Sequence, residues 1–371
     1  MRRFLLKIAL LLLPVFLVFG LSWTSLFKAG EFLPFQMYVH PLDSGQLFGL
    51  AYVNYDKAYK FHMTNEVSQP QVLALGSSRI MQVKRSVVNP CYSFYNAGGA
   101  IQNIYEMPLF VERLRNPPAF ILLAIDQYWF NPAFERQRIL FDPYVYDVPD
   151  WDLSNFLRSS WTFYEDYAAG KVSLGDIWKS RHIGLNAICK ENGYAADGTR
   201  YPGDIIKAPE RQPDYNFRDI LDRIEKGDRR FQYGDEADST LIDAVDRFLA
   251  VCASRGIRVA AFLPPFSPVV YQKMTETGHY GYLSQLYPML NAVFSKYDGA
   301  RLYNFTDMTA LGVHNYDFID GFHGSERVYN QLIRQIVLSE STIAGFFVSI
   351  QEIEHLDSVY SARKIHYHGI P

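Results

Sequence analysis

The chain has 371 residues, of which 49% are hydrophobic and 20% are charged. This composition excludes an intrinsically disordered chain, a coiled coil and a collagen-like fibre, and it favours a globular fold of one large or two modest domains. Lysine and arginine number 36 against 39 aspartate and glutamate residues, which gives a net charge of −3. Because there is no basic excess and no run of like charges, we do not expect nucleic acid as a partner.

The N-terminus carries three basic residues, Arg2, Arg3 and Lys7, followed by an uncharged and mainly apolar stretch over residues 8–27. A stretch of about 20 residues is long enough to cross the hydrocarbon core of a bilayer. Only Lys28 directly follows it, so the positive-inside rule places the N-terminus in the cytoplasm. We therefore predict a single-pass anchor in the cytoplasmic membrane, with the rest of the chain on the extracytoplasmic side.

A cleaved signal peptide is the alternative interpretation of this segment, with a weak processing site at residues 18–20. The apolar stretch continues beyond that site through Leu21, Trp23 and Leu26. That length exceeds the apolar region of a typical signal peptide and favours an uncleaved anchor.

The three cysteines, Cys91, Cys189 and Cys252, are far apart and lack the C-x-x-C spacing of a zinc or redox site. We therefore expect no metal site. An odd number allows at most one disulfide within the chain, and the sequence leaves open whether any pair forms.

Short apolar runs alternate with amphipathic segments through the rest of the chain. This alternation predicts an α/β fold with a doubly wound parallel sheet of about five strands, which binds ligands at the carboxyl ends of its strands. The predicted strands are residues 72–75, 92–95, 120–125, 258–263 and 300–305, and the predicted helices are residues 101–114, 240–254, 282–296 and 326–338.

The predicted domain organisation follows from these elements. The anchor of residues 1–28 is followed by a juxtamembrane segment of residues 29–68, the α/β domain of residues 69–345 and a C-terminal tail of residues 346–371. Between the third and fourth strands, about residues 131–238 are rich in aromatic residues, aspartate, arginine and glycine. This segment is too long for a simple loop. We predict that it forms an inserted subdomain or lid on the catalytic face.

The first predicted strand runs directly into the sequence Gly-Ser-Ser-Arg at residues 76–79. A serine between a strand end and a helix start is exposed above the sheet, near backbone N–H groups that can bind an oxyanion. Ser78 is therefore a candidate nucleophile. The alternative is that the serine is an ordinary helix cap.

An Asp-x-x-His pair, Asp320 and His323, follows the last predicted strand. In a tight glycine-containing turn, this spacing lets the carboxylate bind one imidazole nitrogen, which leaves the other nitrogen free to accept a serine proton. The alternative is an Asx turn that caps the following helix. Together with Ser78, the pair predicts a Ser-His-Asp triad.

These blocks resemble those of the SGNH, or GDSL-like, hydrolase superfamily, which has a flavodoxin-like sheet. In this resemblance Ser78 corresponds to the catalytic serine, Ser77 stands in place of the usual aspartate, and Asp320 and His323 form the last block. The resemblance covers about residues 71–338. It implies that Ser78 attacks an acyl group while His323 acts as general base and Asp320 orients the imidazole.

The resemblance also implies donors for the oxyanion. These are the backbone N–H of Ser78, that of Gly98 after the second strand, with Gly99 as the alternative, and a side chain after the third strand. The superfamily has Gly-x-Asn there, whereas this chain has Asp126 and Gln127. Gln127 can donate, and Asp126 can do so only when protonated. Loss of one donor costs about 3–4 kcal/mol, and slow attack by water would suit a transferase.

Membrane-anchored members of the superfamily with a Gly-Ser-Ser-Arg block are the most similar group, among them D-alanyl transfer proteins for teichoic acid and O-acetyltransferases for exopolysaccharides. The resemblance implies an extracytoplasmic serine O-acyltransferase or esterase that uses an acyl donor and an envelope polysaccharide or polymer. Because a single anchor offers no route for an acyl donor from the cytoplasm, we also expect a multispanning membrane acyltransferase as partner. The alternative is a catalytically silent binding or scaffold protein of the same fold. No cofactor is expected, because Gly76 is not followed by the glycines of a nucleotide-binding loop.

Three further residues are candidates for substrate binding. Arg79 lies beside the nucleophile and either binds an anionic substrate or forms a salt bridge to a neighbouring loop. Tyr128 and Trp129 follow the third strand and either stack on a sugar at the rim of the site or pack in the core.

Overall fold

A computed structural model describes residues 1–134, 141–362 and 368. The chain divides into two compact units. Unit 1 comprises Met1–Tyr55, Val148–Ala196 and Arg200–Asp204, and unit 2 comprises Asp56–Asp147, Asp197–Thr199 and Ile205–Pro371. The predicted insertion of residues 131–238 is therefore shared between the two units, and its residues 135–140 lie outside the described part of the chain.

Unit 2 is built on a parallel five-stranded sheet, which confirms the predicted α/β class. The strands, in chain order, are β1 (Val72–Gly76), β2 (Phe94–Gly98), β3 (Phe120–Ala124), β4 (Asn192–Tyr194), β5 (Arg200–Pro202), β6 (Arg258–Leu263) and β7 (Ala300–Asn304). The sheet of unit 2 has the order β2-β1-β3-β6-β7, and every neighbouring pair in it is parallel. Strands β4 and β5 form an antiparallel pair in unit 1.

The strand order places the candidate site. Strands β1 and β3 are neighbours near the centre of the sheet, and all their residues are buried, as expected for apolar runs covered on both faces. The chain crosses to opposite sides of β1 when it forms β2 and β3. In open α/β sheets, the crevice outside the carboxyl ends of the strands at such a reversal is the usual place for a ligand. Ser78 follows β1 and Asp126 follows β3 at this point.

The second strand differs from its prediction. It begins at Phe94 instead of residue 92 and continues to Gly98, so that residues expected in a loop pair with the end of β1. Asn96 explains the extension. Its side-chain amide donates to the carbonyl oxygens of Ile80 and Val83, both at 2.9 Å, and its backbone N–H donates to Asp197. Polar partners that are distant in sequence thus keep an otherwise loop-like segment extended.

Three of the four predicted helices, those of residues 240–254, 282–296 and 326–338, match observed helices to within two residues at each end. The helices are α1 (Arg2–Ala29), α2 (Asp56–His62), α3 (Glu106–Arg113), α4 (Leu153–Ala168), α5 (Leu174–Lys179), α6 (Leu185–Lys190), α7 (Gly203–Lys207), α8 (Arg218–Lys226), α9 (Ile242–Ser254), α10 (Pro268–Thr277), α11 (Tyr282–Phe294), α12 (Glu326–Ser339), α13 (Ser341–Ala344) and α14 (Ile350–Ala362). The predicted helix of residues 101–114 is shorter in the structure. Glu106 accepts hydrogen bonds from the backbone N–H groups of Gln102 and Asn103, so the chain turns before α3 begins.

Helix α14 lies in the segment predicted as a C-terminal tail, whose residues 363–367 and 369–371 are outside the described part of the chain. The helix packs on α12. Ile353 is fully buried, and Glu354 forms an ion pair with Arg334 of α12, with 2.8 Å between the guanidinium nitrogen and the carboxylate oxygen. Apolar burial and this ion pair therefore hold the segment on the domain.

Helix α1 covers the predicted anchor as one continuous helix. It ends at Gly30, whose left-handed conformation (φ 81°) is the common way to terminate a helix. A search of the described residues finds no helix with the length and apolarity of a membrane span. Membrane crossing by α1 stays a prediction.

The three cysteines are free thiols in the structure. Cys91 is exposed, Cys189 is half-buried and Cys252 is buried. Burial raises the pKa of Cys252 to about 12, which makes this thiol unreactive at neutral pH.

Unit 1 contains a fully buried carboxylate, Glu31, directly after α1. The carboxylate accepts hydrogen bonds from the backbone N–H groups of Ala51 (2.9 Å), Tyr52 (3.0 Å) and Leu185 (2.5 Å). Burial raises the pKa of Glu31, and these three donors partly oppose the shift. One side chain thus connects the end of α1 to two segments that are distant in sequence.

We predict that Glu31→Ala destabilises the protein, because it leaves three N–H groups without their acceptor. A buried donor that loses its partner costs about 1–3 kcal/mol, so the expected loss in the free energy of unfolding is about 3 kcal/mol. Urea denaturation followed by circular dichroism measures it. The exposed Glu236 provides the control, and equal losses in Glu31→Ala and Glu236→Ala would contradict the role given to Glu31.

Candidate active site

The local geometry after β1 leaves the hydroxyl of Ser78 available. Gly76 ends the strand with φ 149°, and a Cβ there would lie 2.9 Å from the carbonyl oxygen of Ala124 in β3, so glycine is required. A 3-10 helix, Ser78–Ile80, begins directly afterwards. Its cap is Ser77, whose Oγ accepts a hydrogen bond from the backbone N–H of Arg79 at 3.1 Å. The capping role expected as the alternative for Ser78 thus belongs to Ser77.

Three predicted site residues form one chain of hydrogen bonds. Ser78 Oγ lies 2.7 Å from His323 Nε2, and His323 Nδ1 lies 2.8 Å from Asp320 Oδ2 and 2.9 Å from Asp320 Oδ1. Ser78 is half-buried, and the side chains of His323 and Asp320 are 25% and 29% exposed. In this geometry the carboxylate fixes the imidazole while the opposite ring nitrogen faces the serine hydroxyl.

Asp320 also shapes the turn that carries His323. Its Oδ1 accepts hydrogen bonds from the backbone N–H groups of Phe322 at 2.8 Å and His323 at 2.7 Å. Burial alone would raise the pKa of Asp320, but the charge of His323 and these hydrogen bonds outweigh it and lower the pKa to about 2. Asp320 is therefore ionised at neutral pH and stabilises an imidazolium on His323.

The backbone of this turn is held from three other parts of unit 2. The N–H of Gly321 donates to Asp214 Oδ2 at 3.1 Å, and its carbonyl accepts from the N–H of Ser267 at 3.3 Å. The carbonyl of Phe322 accepts from Arg79 Nε at 3.1 Å. Because each contact comes from a different element, the position of His323 depends on the packing of the whole unit.

Arg79 is buried, and all five of its N–H donors have acceptors. Beyond the bond to Phe322, its Nη1 donates to Asp126 Oδ1 (3.3 Å) and Gln127 Oε1 (2.7 Å). Its Nη2 donates to the carbonyl oxygens of Pro264 (2.9 Å) and Pro265 (2.7 Å). The guanidinium also lies over the rings of two phenylalanines, Phe266 and Phe322, with 4.5 and 4.2 Å to their centroids.

These contacts correct the predicted substrate-binding role of Arg79. Its side chain is inaccessible to an external anion, and no donor is left to bind one. The alternative expected from the sequence, a salt bridge to a neighbouring loop, is what the structure has, with Asp126 as the partner. Arg79 is therefore a positioning residue that joins the ends of β1, β3 and β6 to the turn of His323.

Tyr128 and Trp129 are also core residues instead of rim residues. Trp129 is fully buried and Tyr128 almost so, in a 3-10 helix, Gln127–Phe130. The ring of Tyr128 contacts those of Phe134 and Phe322, with centroid distances of 4.9 and 5.8 Å. The predicted stacking of these two residues on a sugar therefore does not fit their positions, and the core-packing alternative does.

Two of the predicted oxyanion donors are occupied. The N–H of Gly98 donates to Asn96 Oδ1 at 2.7 Å, and that of the alternative, Gly99, donates to the carbonyl oxygen of Gly76 at 3.0 Å. The amide of the fully buried Gln127 donates to Pro264 at 2.7 Å and Thr306 at 3.1 Å. The oxyanion roles predicted for Gly98 and Gln127 therefore do not follow from this geometry.

The backbone N–H of Ser78 is the remaining predicted donor. Among the hydrogen bonds of the described residues, none uses it. A donor at the nucleophile itself, beside the start of a short helix, is suited to a developing oxyanion.

A pocket of about 290 Å³ adjoins the side chains of Asp320 and His323. Sequence reasoning missed the residues that line the rest of it. They include Asp214, Tyr215, Arg230, Phe231 and His368. Most come from residues 205–231, a part of the predicted insertion that belongs to unit 2. No motif marks them, because each reaches the pocket through long-range packing.

Arg230 is the cation best placed to meet a ligand in this pocket. It is exposed, and its guanidinium lies 5.5 Å from the ring centroids of both Tyr128 and Phe322. In the described part of the chain, no carboxylate forms an ion pair with it. Arg223, the other arginine of the pocket, pairs with Asp219.

His368 contributes an aromatic surface to the pocket. Its ring packs on the ring of Phe217, with 3.9 Å between centroids. Its Nδ1 accepts a hydrogen bond from the backbone N–H of Asn216 at 2.9 Å. Burial lowers the pKa of His368 to about 4, so the ring is neutral at physiological pH. The pocket thus combines aromatic surfaces, carboxylates and one unpaired guanidinium, a set that suits a polar, hydroxyl-bearing ligand.

Comparison with models of known protein families gives no match for this chain, and a search of curated proteins finds none either.

We predict that Arg79→Lys is strongly destabilising, because an ammonium cannot reach the five acceptors of the guanidinium. Breaking a buried ion pair costs about 3–5 kcal/mol. Arg247 supplies a matched control, since it makes a two-pronged pair with Glu112 at 2.9 and 3.0 Å but is mostly exposed. Arg247→Lys should cost less than about 1 kcal/mol. Urea denaturation compares the two variants, and equal losses would count against a central role for Arg79.

We also predict an acid-dependent contribution of Asp320 to stability. Its pKa is lower in the folded protein (about 2) than its ordinary value of 3.8. The stabilisation is therefore complete above that ordinary value and is lost as the pH falls toward 2. Denaturant unfolding of the wild type and Asp320→Asn over this range measures it. The difference between the two proteins should shrink with falling pH, and a constant difference would disprove the assignment.

Proposed function

We propose that this chain is a serine acyl-ester enzyme of the SGNH type, an O-acyltransferase or esterase, with Ser78 as its nucleophile. The observation that carries the proposal is the continuous hydrogen-bonded chain from Ser78 Oγ through His323 to Asp320. Two further observations support the proposal. Ser78 lies at the reversal of strand order, and a pocket lies beside His323. A chain of this kind activates a hydroxyl that is otherwise a weak nucleophile.

The proposed reaction has two halves. First, Ser78 Oγ attacks the acyl carbonyl carbon while His323 Nε2 takes the hydroxyl proton, and the N–H of Ser78 stabilises the oxyanion. The bond to the leaving oxygen then breaks, and His323 returns the proton to that oxygen. In the second half, an acceptor hydroxyl attacks the acyl-serine and gives its proton to His323, which passes it to Ser78 Oγ as the ester bond breaks. Water as acceptor gives hydrolysis, and a sugar or polyol hydroxyl gives transfer.

In this proposal the acceptor is an envelope polysaccharide or polymer, and the domain lies on the extracytoplasmic side behind a single N-terminal anchor. The polar and aromatic lining of the pocket supports a hydroxyl-rich acceptor. One anchor offers no route for an acyl group from the cytoplasm, so a multispanning membrane acyltransferase is the proposed partner. Purification from mild detergent in which no such protein accompanies the chain would argue against this partner.

A second candidate function is a catalytically silent protein of the same fold that binds the polymer or holds a membrane acyltransferase. The observation that favours it is the occupation of the Gly98 and Gln127 donors, which leaves the N–H of Ser78 to support an oxyanion. Each missing donor costs about 3–4 kcal/mol of transition-state stabilisation in well-studied enzymes.

The nucleophile is tested by intact mass after incubation with an aryl acetate. We predict an acetyl adduct on the wild type, none on Ser78→Ala, and an adduct on the matched control Ser77→Ala, whose hydroxyl serves only as a helix cap. An adduct that persists in Ser78→Ala would refute the proposed nucleophile. Absence of both an adduct and released aryl alcohol with the well-folded wild type would favour the silent alternative.

The acceptor is tested by adding glycerol to the acetylated protein and measuring both products. We predict that glycerol acetate forms faster than free acetate, because the pocket offers polar and aromatic groups to a polyol. Replacing the unpaired cation, in Arg230→Gln, should slow transfer more than acetylation of Ser78. Release of acetate alone would assign the chain as an esterase.

A further inference from the structure

Unit 1 exposes a cluster of large apolar side chains around one buried ring, Phe156. The rings of Trp23 and Phe27, near the end of α1, lie 5.4 and 5.5 Å from the ring of Phe156, centroid to centroid. Trp151, just before α4, lies 5.5 Å from the same ring. All three contacting residues are more than one-third exposed, although each touches the core of the unit. They are therefore gathered around one ring at the surface of unit 1.

Helix α4 extends this surface. Leu153, Leu157 and Trp161 are spaced four residues apart, so they lie on one face of the helix, and they are between 42% and 68% exposed. The buried residues of α4, Phe156 and Phe163 among them, pack into the core of unit 1. We call Trp23, Phe27, Trp151, Leu153, Leu157 and Trp161 the aromatic patch. Soluble surfaces rarely keep so many large apolar side chains together without a partner.

We propose that the aromatic patch lies in the interfacial zone of a lipid bilayer, so that unit 1 rests on the membrane surface with α4 parallel to it. The inference rests on the membrane anchoring proposed for α1. Trp23 and Phe27 belong to the same helix as the uncharged residues 8–21, so the patch continues the apolar stretch without a break. If residues 8–21 are surrounded by lipid, the patch is therefore next to that lipid.

The composition of the patch fits this occupant. Three of its six members are tryptophans, whose rings combine an apolar body with a polar N–H and are enriched at the level of lipid headgroups. Trp161 already directs its N–H to Glu165 at 2.9 Å, at the polar edge of the helix. A helix with an apolar face and a polar opposite face lies in the plane of the interface when it binds lipid.

The charged residues beside the patch do not favour binding by electrostatic attraction to anionic lipids. The exposed basic residues beside the patch in sequence, Lys28 and Arg158, are outnumbered by three exposed acidic residues, Asp150, Asp152 and Glu165. Apolar insertion is therefore the main driving force. The contact should form on uncharged phosphatidylcholine and persist in high salt, because salt screens charge pairs but not apolar burial.

The test uses the full-length protein in phosphatidylcholine nanodiscs whose acyl chains carry bromine, which quenches nearby tryptophans. We predict that the wild type is quenched, that Trp151→Phe loses part of that quenching while keeping an aromatic ring in the patch, and that high salt changes neither result. The double variant Leu153→Ser, Leu157→Ser should lower the quenching. Its matched control is Leu338→Ser, a similarly exposed leucine of unit 2, which should not.

Three results would overturn the inference, and they separate it from the other proposals. Equal quenching of the wild type, Trp151→Phe and the double leucine variant in discs that carry the protein would exclude lipid contact at the patch but leave the anchor intact. Failure of the protein to migrate with the discs would exclude both. Protection of Trp151 from acrylamide by self-association without lipid would assign the patch to a second copy of the chain. None of these results depends on acylation of Ser78.

Discussion

The organisation of unit 2 depends on one buried guanidinium. A buried charge destabilises a fold unless every donor is satisfied, and the planar fork of an arginine accepts only a narrow set of geometries. The acceptors of Arg79 come from the residues after β3, the residues after β6 and the turn that carries His323. These loops can change position only by breaking contacts with Arg79. Because Arg79 directly follows Ser78, the same residue that fixes the loops also fixes the candidate nucleophile relative to its base.

The contacts of Arg79 and Gln127 also limit how the site can stabilise an oxyanion in the proposed reaction. The side chains after β3 serve the guanidinium and the core, so they do not face the substrate, and the amide of Gln127 is turned toward Pro264. Stabilisation of an oxyanion then depends mainly on the N–H of Ser78. A site with a well-placed base and few oxyanion donors reacts best with an activated acyl donor. The good leaving group of such a donor lowers the activation barrier and so compensates for the missing oxyanion donors. Transfer between acyl esters fits that requirement better than hydrolysis of unactivated esters.

The sequence predicts those features that depend on local pattern. The apolar runs of β1, β3 and β6 identify the parallel sheet, and the strand-to-serine junction and the Asp-x-x-His spacing identify the residues that meet in space. It does not predict where polar side chains find partners. Arg79 and Gln127 are next to the candidate site in sequence, but Pro264, which accepts hydrogen bonds from both, is more than a hundred residues away. For the same reason, the sequence does not predict that residues 205–231 line the pocket or that the insertion is shared between two units.

The most direct test of the proposed active site is the rate at which a serine-directed phosphonate labels Ser78 in the wild type and in His323→Ala, with folding verified by circular dichroism. The hydrogen bond of 2.7 Å between Ser78 Oγ and His323 Nε2 predicts that labelling of the wild type is faster by a factor of about 100 or more, the usual contribution of a general base. Equal rates for the two folded proteins would show that His323 does not activate the serine, and would contradict the proposed active site.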